Sequence, residues 1–563
     1  MTEYLEELKT DVLVIGGGAA GCWAALKASE GDLDVTLMNQ YTFGKSGTTI
    51  VAMITYQAVM GELGRLPQDS EDTFFEDIAR GGAYLGEQNL IEILVRQSKK
   101  TVLEYEQLGV KWDKIDGKFD SKGLPGMTHP RGCFVDHRTG LALQRALVRA
   151  VQKRRNIRYV EGKVIKLLTA DGCAAGALAY LIPTGAFLKI SARSVVLATG
   201  GAGRLYKVTS MPEDARGDGM ALAFKAGVDL MDMEFHLFFP TTLPYPESLQ
   251  GLVVPRGTTV PEGARILNGK GERFMHHYYP EAEYATRDKS SIAIMKEIRK
   301  GNGTPHGGVY MDLSRVKDLL KRWPTSFKDF KEAGINLPDE WLEVCPGHHF
   351  SIGGVRINSF CETTMPGLYA AGEVAANLHG ANRVGGTALP ECSVFGQIAG
   401  TNAALYATFR RGRAVPNGEV REEIKRIKDL QARGQKGEAR PIGIIRDLRN
   451  LMYEKVGVIR DEDGLRQARE AIDLLEEKAA DMSITQGKIY NKELVDAIDL
   501  ENMLLLAKII TKSALKRKES RGSHHRTDYP QQDDRKWRMH IVTRLEGTEI
   551  KLRKMPVTLT RGI

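Results

Sequence analysis

Apolar residues first concentrate in a short run near the start of the chain. Residues 11–15, DVLVI, are followed by the glycine-rich GGGAAG, the alanine-rich GCWAALKASE and a second apolar run, DVTLM. Short apolar runs bounded by glycines are typical of buried strands, and the alanine-rich segment between them is typical of a helix. The pattern therefore predicts a β-α-β unit.

Two later apolar runs also end in glycines. They are SARSVVLATGGAGRLY (191–206) and GLYAAGEVA (367–375), and we expect both to return the chain to the same sheet. Between them and the first unit, residues 155–190 alternate apolar and polar positions, which predicts a small antiparallel insertion.

The pattern changes in the remaining segments. From 240 to about 350 the chain has more Pro, Tyr and His and no long apolar run, which predicts a separate domain inserted into the first. Residues 420–520 are charged and helix-periodic, as in EDGLRQAREAIDLLEEKAADM. The tail from about 536 alternates as a small hairpin does.

Length and charge limit the possible classes only broadly. The chain has 563 residues and 62.3 kDa, too long for one core, so we expect two to four domains. The hydrophobic and charged fractions, 42% and 27%, are ordinary for a soluble globular protein. The net charge of +8 indicates a mildly basic solvated surface, with anionic ligands or partners as the alternative.

The cysteines do not form a metal-binding pattern. There are six of them, without a CxxC pair or a Cys/His cluster, so we expect no iron–sulfur or zinc site in this chain and a reducing compartment. The start of the chain has no basic region followed by an apolar stretch, and no apolar run reaches membrane-spanning length. We therefore expect a cytoplasmic protein with no direct membrane insertion, which reaches a membrane only through other subunits.

Three glycines carry the first chemical signal. Gly16, Gly18 and Gly21 have the GxGxxG spacing between strand and helix. This spacing provides a tight turn, room for a pyrophosphate at the helix N-terminus and close packing of the helix on the strand. It predicts dinucleotide binding. At the end of the second strand Asn39 replaces the usual acid; its amide can still bind a ribose hydroxyl.

Further motifs follow in a fixed order along the chain. They are KSGTT, DHRTG, ATGGAG, GDGMALAFKAG, GERFM, ATRD, HHFSIGG, GLYAAGEVA, HGANRVGG and ESRGSHHRTDYPQQDD. Together with the first glycine motif they resemble the flavoprotein subunit of the fumarate reductase and succinate dehydrogenase family, which includes L-aspartate oxidase. The resemblance covers almost the whole chain.

The resemblance implies an α/β fold in several domains. A Rossmann-type FAD-binding domain would span 1–239 and 351–410, interrupted by an α+β capping domain at 240–350. A helical domain (411–525) and a small C-terminal domain (526–563) would follow.

The resemblance also implies FAD as cofactor, rather than a nicotinamide. Besides the glycines and Asn39, the flavin-contacting positions would be Lys45, Ser46, Thr48, Asp218, Glu373 and Leu389. The structural alternative for Asp218 is an acid in a turn, and the alternative for Glu373 is an acid near a helix N-terminus. Covalent members carry a histidine where this chain has Gly47, so we expect non-covalent, dissociable FAD. In the family, loss of that bond lowers the flavin potential and favours the reducing direction, or an oxidase.

Three residues match the family's catalytic positions. Arg383 in GANRVGG resembles the arginine that holds a substrate carboxylate, a role that suits a planar guanidinium. His349, next to His348, resembles the substrate-binding histidine. Arg287 in ATRD resembles the proton donor; arginine is a poor acid, so this role comes only from the resemblance. Surface salt bridges are the structural alternative for such residues taken singly.

Two departures lie on the substrate side. The family's stretch reads Met-Glu-Phe-x-x-Phe-His-Pro-Thr, and this chain has Phe239 at the position of its histidine. His236 lies three residues earlier, so on a regular strand it faces the side opposite to Phe239. The simplest role of His236 is structural. The family's proton-relay loop is present only as PRGTTVPEGAR, where Arg256, Glu262 and Arg265 have no assignable role.

The leading hypothesis is an enzyme that reduces or forms a C=C bond next to a carboxylate and works with an iron–sulfur electron-transfer partner. The alternatives are an L-aspartate oxidase-like enzyme and, because of Phe239, a reductase of a larger enoate or an enoyl thioester. A flavin-bearing electron-transfer or structural protein with a decayed substrate site is a third hypothesis.

We expect no nucleic-acid partner, because the basic segment 512–526 lacks aromatic residues for stacking.

Overall fold

The structure is a computed structural model that describes residues 5–53, 55–136, 138–254, 256–319, 324–434 and 437–561. Within these ranges, the side chains at 256, 258 and 324–327 are not described.

The strands are β1 (Leu5–Ile15), β2 (Val35–Asn39), β3 (Tyr56–Gln57), β4 (Lys114–Ile115), β5 (Lys118–Phe119), β6 (Gly132–Cys133), β7 (Ile157–Glu161), β8 (Lys163–Ala170), β9 (Cys173–Leu181), β10 (Ala186–Leu197), β11 (Leu230–Met231), β12 (His236–Thr242), β13 (Arg265–Leu267), β14 (Val309–Asp312), β15 (Leu342–Ser351), β16 (Gly354–Val355), β17 (Leu368–Ala370), β18 (Ile459–Arg460), β19 (His525–Arg526), β20 (Met539–Glu546) and β21 (Glu549–Pro556).

The α-helices are α1 (Ala19–Ala28), α2 (Glu71–Gly81), α3 (Gln88–Gln107), α4 (Thr139–Gln152), α5 (Asp218–Lys225), α6 (Arg256–Thr259), α7 (Met275–Tyr278), α8 (Arg287–Glu297), α9 (Pro324–Glu332), α10 (Ala388–Phe409), α11 (Asn417–Ala432), α12 (Pro441–Lys455), α13 (Glu462–Ala480), α14 (Lys492–Lys516) and α15 (Asp534–Trp537).

The predicted β-α-β unit forms the centre of the largest sheet. Its strand order is β7-β2-β1-β10-β9-β8, with β17 beside β10, and β1 pairs in parallel with both β2 and β10. Ile15 lies opposite Leu197, and Leu197 lies opposite Ala370. The three glycine-rich loops that follow these strands therefore meet at one edge of the sheet, where doubly wound folds bind their ligands.

The sequence predicts that residues 155–190 form an antiparallel insertion, and this prediction is wrong for the first strand, β7. β7 joins the main sheet in parallel beside β2, whereas β8 and β9 are antiparallel, as expected. β7 is a partly exposed edge strand that mixes apolar and polar residues, as a half-exposed antiparallel strand does. Such a mixed sequence therefore does not distinguish the two arrangements.

A second sheet has the strand order β12-β15-β14-β13. Although the sequence has no long apolar run in this region, it forms β15, a ten-residue strand that lies between β12 and β14. Its sequence, LEVCPGHHFS, is interrupted by Pro, Gly and His, which hides it from an apolar-run search. The predicted domain joints at 239/240 and 350/351 fall within β12 and β15, and the domain boundaries stay a prediction.

The C-terminal half matches its sequence pattern. Helices α11 to α14 occupy the periodic segment, and β20 and β21 form the hairpin in the tail. The basic segment 512–526 folds inward at its end, where Arg517, Arg521 and Arg526 are buried. Within the described ranges, no helix combines the length and hydropathy needed to cross a membrane.

Candidate functional site

The first glycine loop is shaped by very close backbone contacts. Gly16 has φ +114°, and a Cβ atom there would lie 2.1 Å from the carbonyl oxygen of Ala198. A Cβ at Gly21 would lie 1.8 Å from the Gly16 carbonyl oxygen. At Gly18 a Cβ would meet only Thr49 Oγ1, at 3.3 Å. Two of the glycines thus permit tight packing, while the third leaves open space at the N-terminus of α1.

Two side chains hold this loop in shape through hydrogen bonds to its backbone. Asn39 Oδ1 accepts a hydrogen bond from the Gly17 amide at 3.1 Å, and Asn39 Nδ2 donates to the Tyr41 carbonyl and to Ser46 Oγ. Thr49 Oγ1 accepts from the Ala19 amide at 3.0 Å, which satisfies a donor in the first turn of α1. Asn39 therefore holds the turn in shape, and its ribose contact stays a prediction.

A cavity lies between the glycine loops. Its lining includes six of the predicted flavin residues: Gly16, Gly18, Asn39, Thr48, Asp218 and Glu373. The other four are not in the lining: Gly21, Lys45, Ser46 and Leu389. Gly21 packs behind the loop, Lys45 is exposed, Ser46 bonds to Asn39, and Leu389 is buried at the start of α10.

The two predicted flavin acids have different environments. Asp218 accepts hydrogen bonds from Lys163 Nζ at 2.5 Å and from Asn502 Nδ2 at 3.2 Å, and these cationic and polar neighbours outweigh burial and lower its pKa. Glu373 accepts from the Ser351 amide at 2.9 Å, and burial raises its pKa to about 8. Glu373 is therefore protonated at neutral pH, while Asp218 is ionised.

Sequence reasoning missed other lining residues. Asp214 lies beside Ser46 and Gly47, and burial raises the pKa of its carboxyl. Thr199 and Cys392 also face the cavity. Thr199 belongs to the ATGGAG motif and was within reach of the sequence, whereas nothing local marks Asp214 or Cys392.

The cavity has features that suit a dinucleotide. Thr199 Oγ1 is a buried hydroxyl without a hydrogen-bond partner among the described residues. A Cβ at Gly200, which has φ +76°, would meet nothing within 4 Å. The described lining contains no Lys or Arg, so a pyrophosphate would be held by backbone amides and the helix N-terminus. These residues fit FAD.

The three predicted catalytic residues come from separate elements and converge. His349 lies on β15, Arg287 begins α8, and Arg383 follows the HGAN stretch. The pKa of His349 is well below its usual range because the ring is desolvated and because the cationic Arg383 and Arg287 lie close to it. His349 Nδ1 lies 2.7 Å from Ser210 Oγ, which fixes the ring. The site therefore holds a neutral imidazole close to two guanidinium groups.

Arg383 is a buried cation that no carboxylate of the described residues pairs. It is 5% exposed, its guanidinium lies 4.6 Å from the centre of the Phe350 ring, and Nη1 makes one long hydrogen bond of 3.4 Å to the Val384 carbonyl. Its Nε has no hydrogen-bond partner within the same ranges. Burial lowers the pKa of Arg383 to about 10, so it remains charged at neutral pH.

Phe239 lies directly among these groups. Its ring centre is 4.9 Å from the Arg287 guanidinium carbon and 5.1 Å from the centre of the His349 ring. It is 3% exposed on β12, which pairs with β15 through two register irregularities. An aromatic face therefore lies where the family motif has an imidazole.

His236 points to the other face of β12, as predicted. Its Nδ1 lies 3.0 Å from His348 Nε2, and its Nε2 lies 3.0 Å from the Met233 carbonyl oxygen. His348 stacks on Tyr206 with ring centres 4.8 Å apart, and burial lowers its pKa to about 3. Both ring nitrogens of His236 thus have neighbours inside the protein. Neither histidine touches Phe239 in the described contacts.

The segment PRGTTVPEGAR takes the place of the family's proton-relay loop. The Arg256 side chain lies outside the described part of the chain, and Arg265 lies on β13 opposite Asp312. Glu262 ends a short turn before Gly263. A proton relay through these residues stays unassigned.

Family models cover most of the chain. Residues 11–389 match the FAD binding domain, and residues 445–562 match the fumarate reductase flavoprotein C-terminal domain.

Curated relatives match nearly end to end. One of them belongs to the CoM/CoB fumarate reductase of Methanothermobacter marburgensis and is 39% identical over 529 residues, covering 93% of this chain and 95% of the relative. The fumarate reductase flavoprotein of Mycobacterium tuberculosis is 34% identical over 582 residues, covering 98% and 97%.

Solved structures agree with these matches. A variant of E. coli quinol fumarate reductase FrdA superposes with a TM-score of 0.92 at 30% identity, covering 99% of this chain and 98% of that one. Mycobacterium smegmatis Sdh1 in complex with UQ1 gives a TM-score of 0.90 at 33% identity, covering 98% and 96%. The glycine cradle, the cavity that fits FAD and these end-to-end matches identify the chain as a member of the fumarate reductase and succinate dehydrogenase flavoprotein family of FAD-dependent oxidoreductases.

Proposed function

We propose that this chain is the catalytic flavoprotein of an enzyme that reduces a C=C bond next to a carboxylate. The observation that carries the proposal is Arg383, a buried, charged guanidinium that no described carboxylate pairs, beside His349 and Arg287. A buried cation with no carboxylate in direct salt-bridge contact is costly unless a ligand supplies the negative charge. A substrate carboxylate suits the planar, multidentate geometry of arginine.

Each of the three residues has a distinct role in this proposal. Arg383 binds the carboxylate. His349, neutral and with its Nδ1 at Ser210 Oγ, donates one hydrogen bond from its other ring nitrogen to the same carboxylate. When bound, FAD supplies a hydride to one carbon of the double bond. Arg287 delivers the proton to the other carbon, a role that comes from the family resemblance rather than from its own acidity.

An external electron carrier completes the proposal. The six cysteines are all free, and the described residues contain no group of His, Cys, Asp or Glu suited to a metal ion. Each reduction of a C=C bond uses up one hydride, so repeated turnover needs an electron donor outside this chain. We propose that the donor is an iron–sulfur protein partner, and that the chain is cytoplasmic, with any membrane contact made through partner subunits.

Phe239 favours a second candidate substrate class. Its ring replaces a polar contact with an apolar surface between Arg287 and His349. A larger enoate or an enoyl thioester with one less polar end fits such a surface better than a small dicarboxylate does.

The proposal is tested by single-turnover reoxidation. The FAD-loaded chain is reduced chemically without oxygen and mixed with fumarate, while the flavin absorbance is followed. Fast reoxidation is expected, and Arg383→Ala should slow it at least about a hundredfold, because a charge-assisted bidentate contact is lost. Arg421→Ala, on the exposed face of α11, is the matched control.

Two other outcomes have clear meanings. If fumarate fails but a larger enoate or an enoyl thioester reoxidises the flavin, the Phe239 candidate replaces the first. If no unsaturated acid or thioester acts and the flavin is intact, the proposed function is wrong. Peroxide formation from L-aspartate in air would instead support an oxidase.

The mode of FAD attachment follows from Gly47, which has no side chain to bond to the flavin. We expect acid precipitation of the purified protein to leave all of the FAD in the supernatant. Yellow colour that remains with the precipitated chain would contradict this expectation.

A further inference from the structure

A pair of buried polar side chains lies beside the candidate site without any assigned role. Thr55 is 4% exposed and Gln57 is 0% exposed. Thr55 Oγ1, Gln57 Nε2 and Gln57 Oε1 all lack a hydrogen-bond partner among the described residues. Buried polar groups in folded proteins are almost always bonded, so three such atoms on two neighbouring side chains point to a missing partner.

The strand geometry aims both side chains in one direction. Thr55 and Gln57 are two residues apart on an extended segment, so they share a face. Tyr56 between them faces the opposite way, into the aromatic packing of Tyr105 and Trp112. β3 is held by its pairing with β6, where Gln57 lies opposite Gly132. The pair is therefore placed by a sheet contact rather than by a free loop.

Both side chains reach the loop that carries Arg383. A Cβ built on Gly386 would lie 2.6 Å from Thr55 Oγ1 and 2.7 Å from Gln57 Nε2. The Gln57 backbone amide donates to the Gly386 carbonyl at 3.2 Å, which fixes the approach. Gly386 has φ +77°, so glycine is needed there for conformation as well as for space.

The same loop touches the proposed proton donor. A Cβ built on the preceding residue, Gly385, would lie 3.0 Å from Arg287 Nη2. Thr387 Oγ1 donates to the Val384 carbonyl at 2.8 Å and holds the turn. The loop 383–387 therefore begins at Arg383. Its Gly385 lies against Arg287, and its Gly386 lies against Thr55 and Gln57.

We propose that Thr55 and Gln57 bind the far polar group of the substrate, the one not held by Arg383. Gln57 Nε2 and the Thr55 hydroxyl donate hydrogen bonds to a carbonyl-type oxygen there, as in a carboxylate, an amide or a thioester. The pair is uncharged, so it binds such an oxygen without adding another buried charge. It selects unsaturated acids with two polar ends over those with one. This inference rests on the proposed function.

The test compares fumarate with crotonate, which has a methyl group at the far end. Each acid is titrated into the oxidised FAD-loaded chain, and dissociation constants are taken from the change in flavin absorbance. We expect Gln57→Leu and Thr55→Val each to weaken fumarate binding about tenfold, the loss of one hydrogen bond to a charged acceptor, and to leave crotonate binding unchanged. Thr55→Ser should retain fumarate binding, and Gln107→Leu at an exposed position is the control.

Thermal unfolding of the same variants separates binding from a structural role. Replacing an unbonded buried amide with an apolar group of similar shape is nearly neutral for stability. Gln57→Leu should therefore melt within a few degrees of the parent. A large loss of stability, with both acids weakened equally, would show that the pair is structural and overturn the inference.

The remaining outcomes show whether the inference about Thr55 and Gln57 fails alone or together with the proposed function. If fumarate binds the parent and depends on Arg383, but both variants bind it normally, the pair holds only internal water and the inference alone fails. If fumarate neither perturbs nor reoxidises the parent flavin, the proposed function fails as well. Selective loss of fumarate binding supports both.

Discussion

At the residue scale, burial shifts the pKa values of Glu373, His349 and Arg383. Glu373 and His349 are both desolvated, so the pKa of the acid rises and the pKa of the imidazole falls. Both are neutral near pH 7. Arg383 keeps its charge because even its lowered pKa, about 10, lies far above neutrality. The cluster of Arg383, Arg287 and neutral His349 is therefore positively charged and suits an anionic ligand.

We expect FAD affinity to fall as pH rises through about 8. Glu373 ionises there, which adds a negative charge to a buried cavity that must hold an anionic pyrophosphate. The dissociation constant should rise by up to about tenfold per pH unit above that point, as linkage requires. Fluorescence titration of the apoprotein with FAD on both sides of that pH measures it.

Glu373→Gln is the matched variant for that titration, because it cannot ionise. Its FAD affinity should not change over the same range. A pH step of equal size in this variant would assign the titration to another group, with Asp214 the first to examine.

Replacement of Phe239 tests substrate choice at a single position. Phe239→His should raise kcat/KM for fumarate about tenfold or more, because one hydrogen bond to a carboxylate is gained where an apolar ring lies between Arg287 and His349. Phe239→Leu, which removes the ring and adds no polar atom, should not raise it. Unchanged fumarate kinetics with both variants would show that Phe239 does not discriminate between substrates.

At the element scale, strand–glycine–helix packing decides whether the cavity forms. α1 lies so close to the end of β1 that no side chain fits at Gly21. Local patterning predicts this unit well, because strand, turn and helix are consecutive in sequence. It predicts β7 and β15 poorly, because an edge strand and an interrupted central strand owe their structure to neighbours distant in sequence.

We expect Gly21→Ala to abolish FAD binding. Its Cβ would lie 1.8 Å from a backbone oxygen of the glycine turn, so α1 must move away from the sheet. Gly31→Ala is a suitable control, because a Cβ there meets nothing within 4 Å. The measurement is bound FAD per chain after purification. Normal FAD content in Gly21→Ala would contradict the close packing described for this turn.

At the scale of the whole molecule, a buried ionic network ties the flavin-binding region to the C-terminal segments. Arg517 Nε donates to Glu234 Oε1 at 2.6 Å and Nη1 to Glu519 Oε1 at 3.0 Å, with all three side chains fully buried. Arg517 also donates to the carbonyls of Trp537 and Met539. The basic run in the sequence is therefore partly internal structure.

We expect Arg517→Met to destabilise the protein by about 3–5 kcal/mol, because it leaves Glu234 buried without its cation, whereas Glu519 keeps its pair with Arg521. Arg466→Ala, which removes a solvent-exposed pair with Glu462 on α13, should leave the stability almost unchanged. Urea unfolding of both variants measures the difference. Equal midpoints would show that the network contributes little beyond hydrophobic packing.

Local features of this protein follow from its amino-acid order: the β-α-β unit, the glycine spacing, the periodic helices and the C-terminal hairpin. These depend on residues within a few turns of one another, where propensity and periodicity decide. Which side chains meet depends instead on packing between distant segments. Arg287, His349 and Arg383 are far apart in sequence, and only the packing of the two sheets brings them to one place. The same packing set Gln57 against Gly386, a contact between distant segments that no local pattern contains.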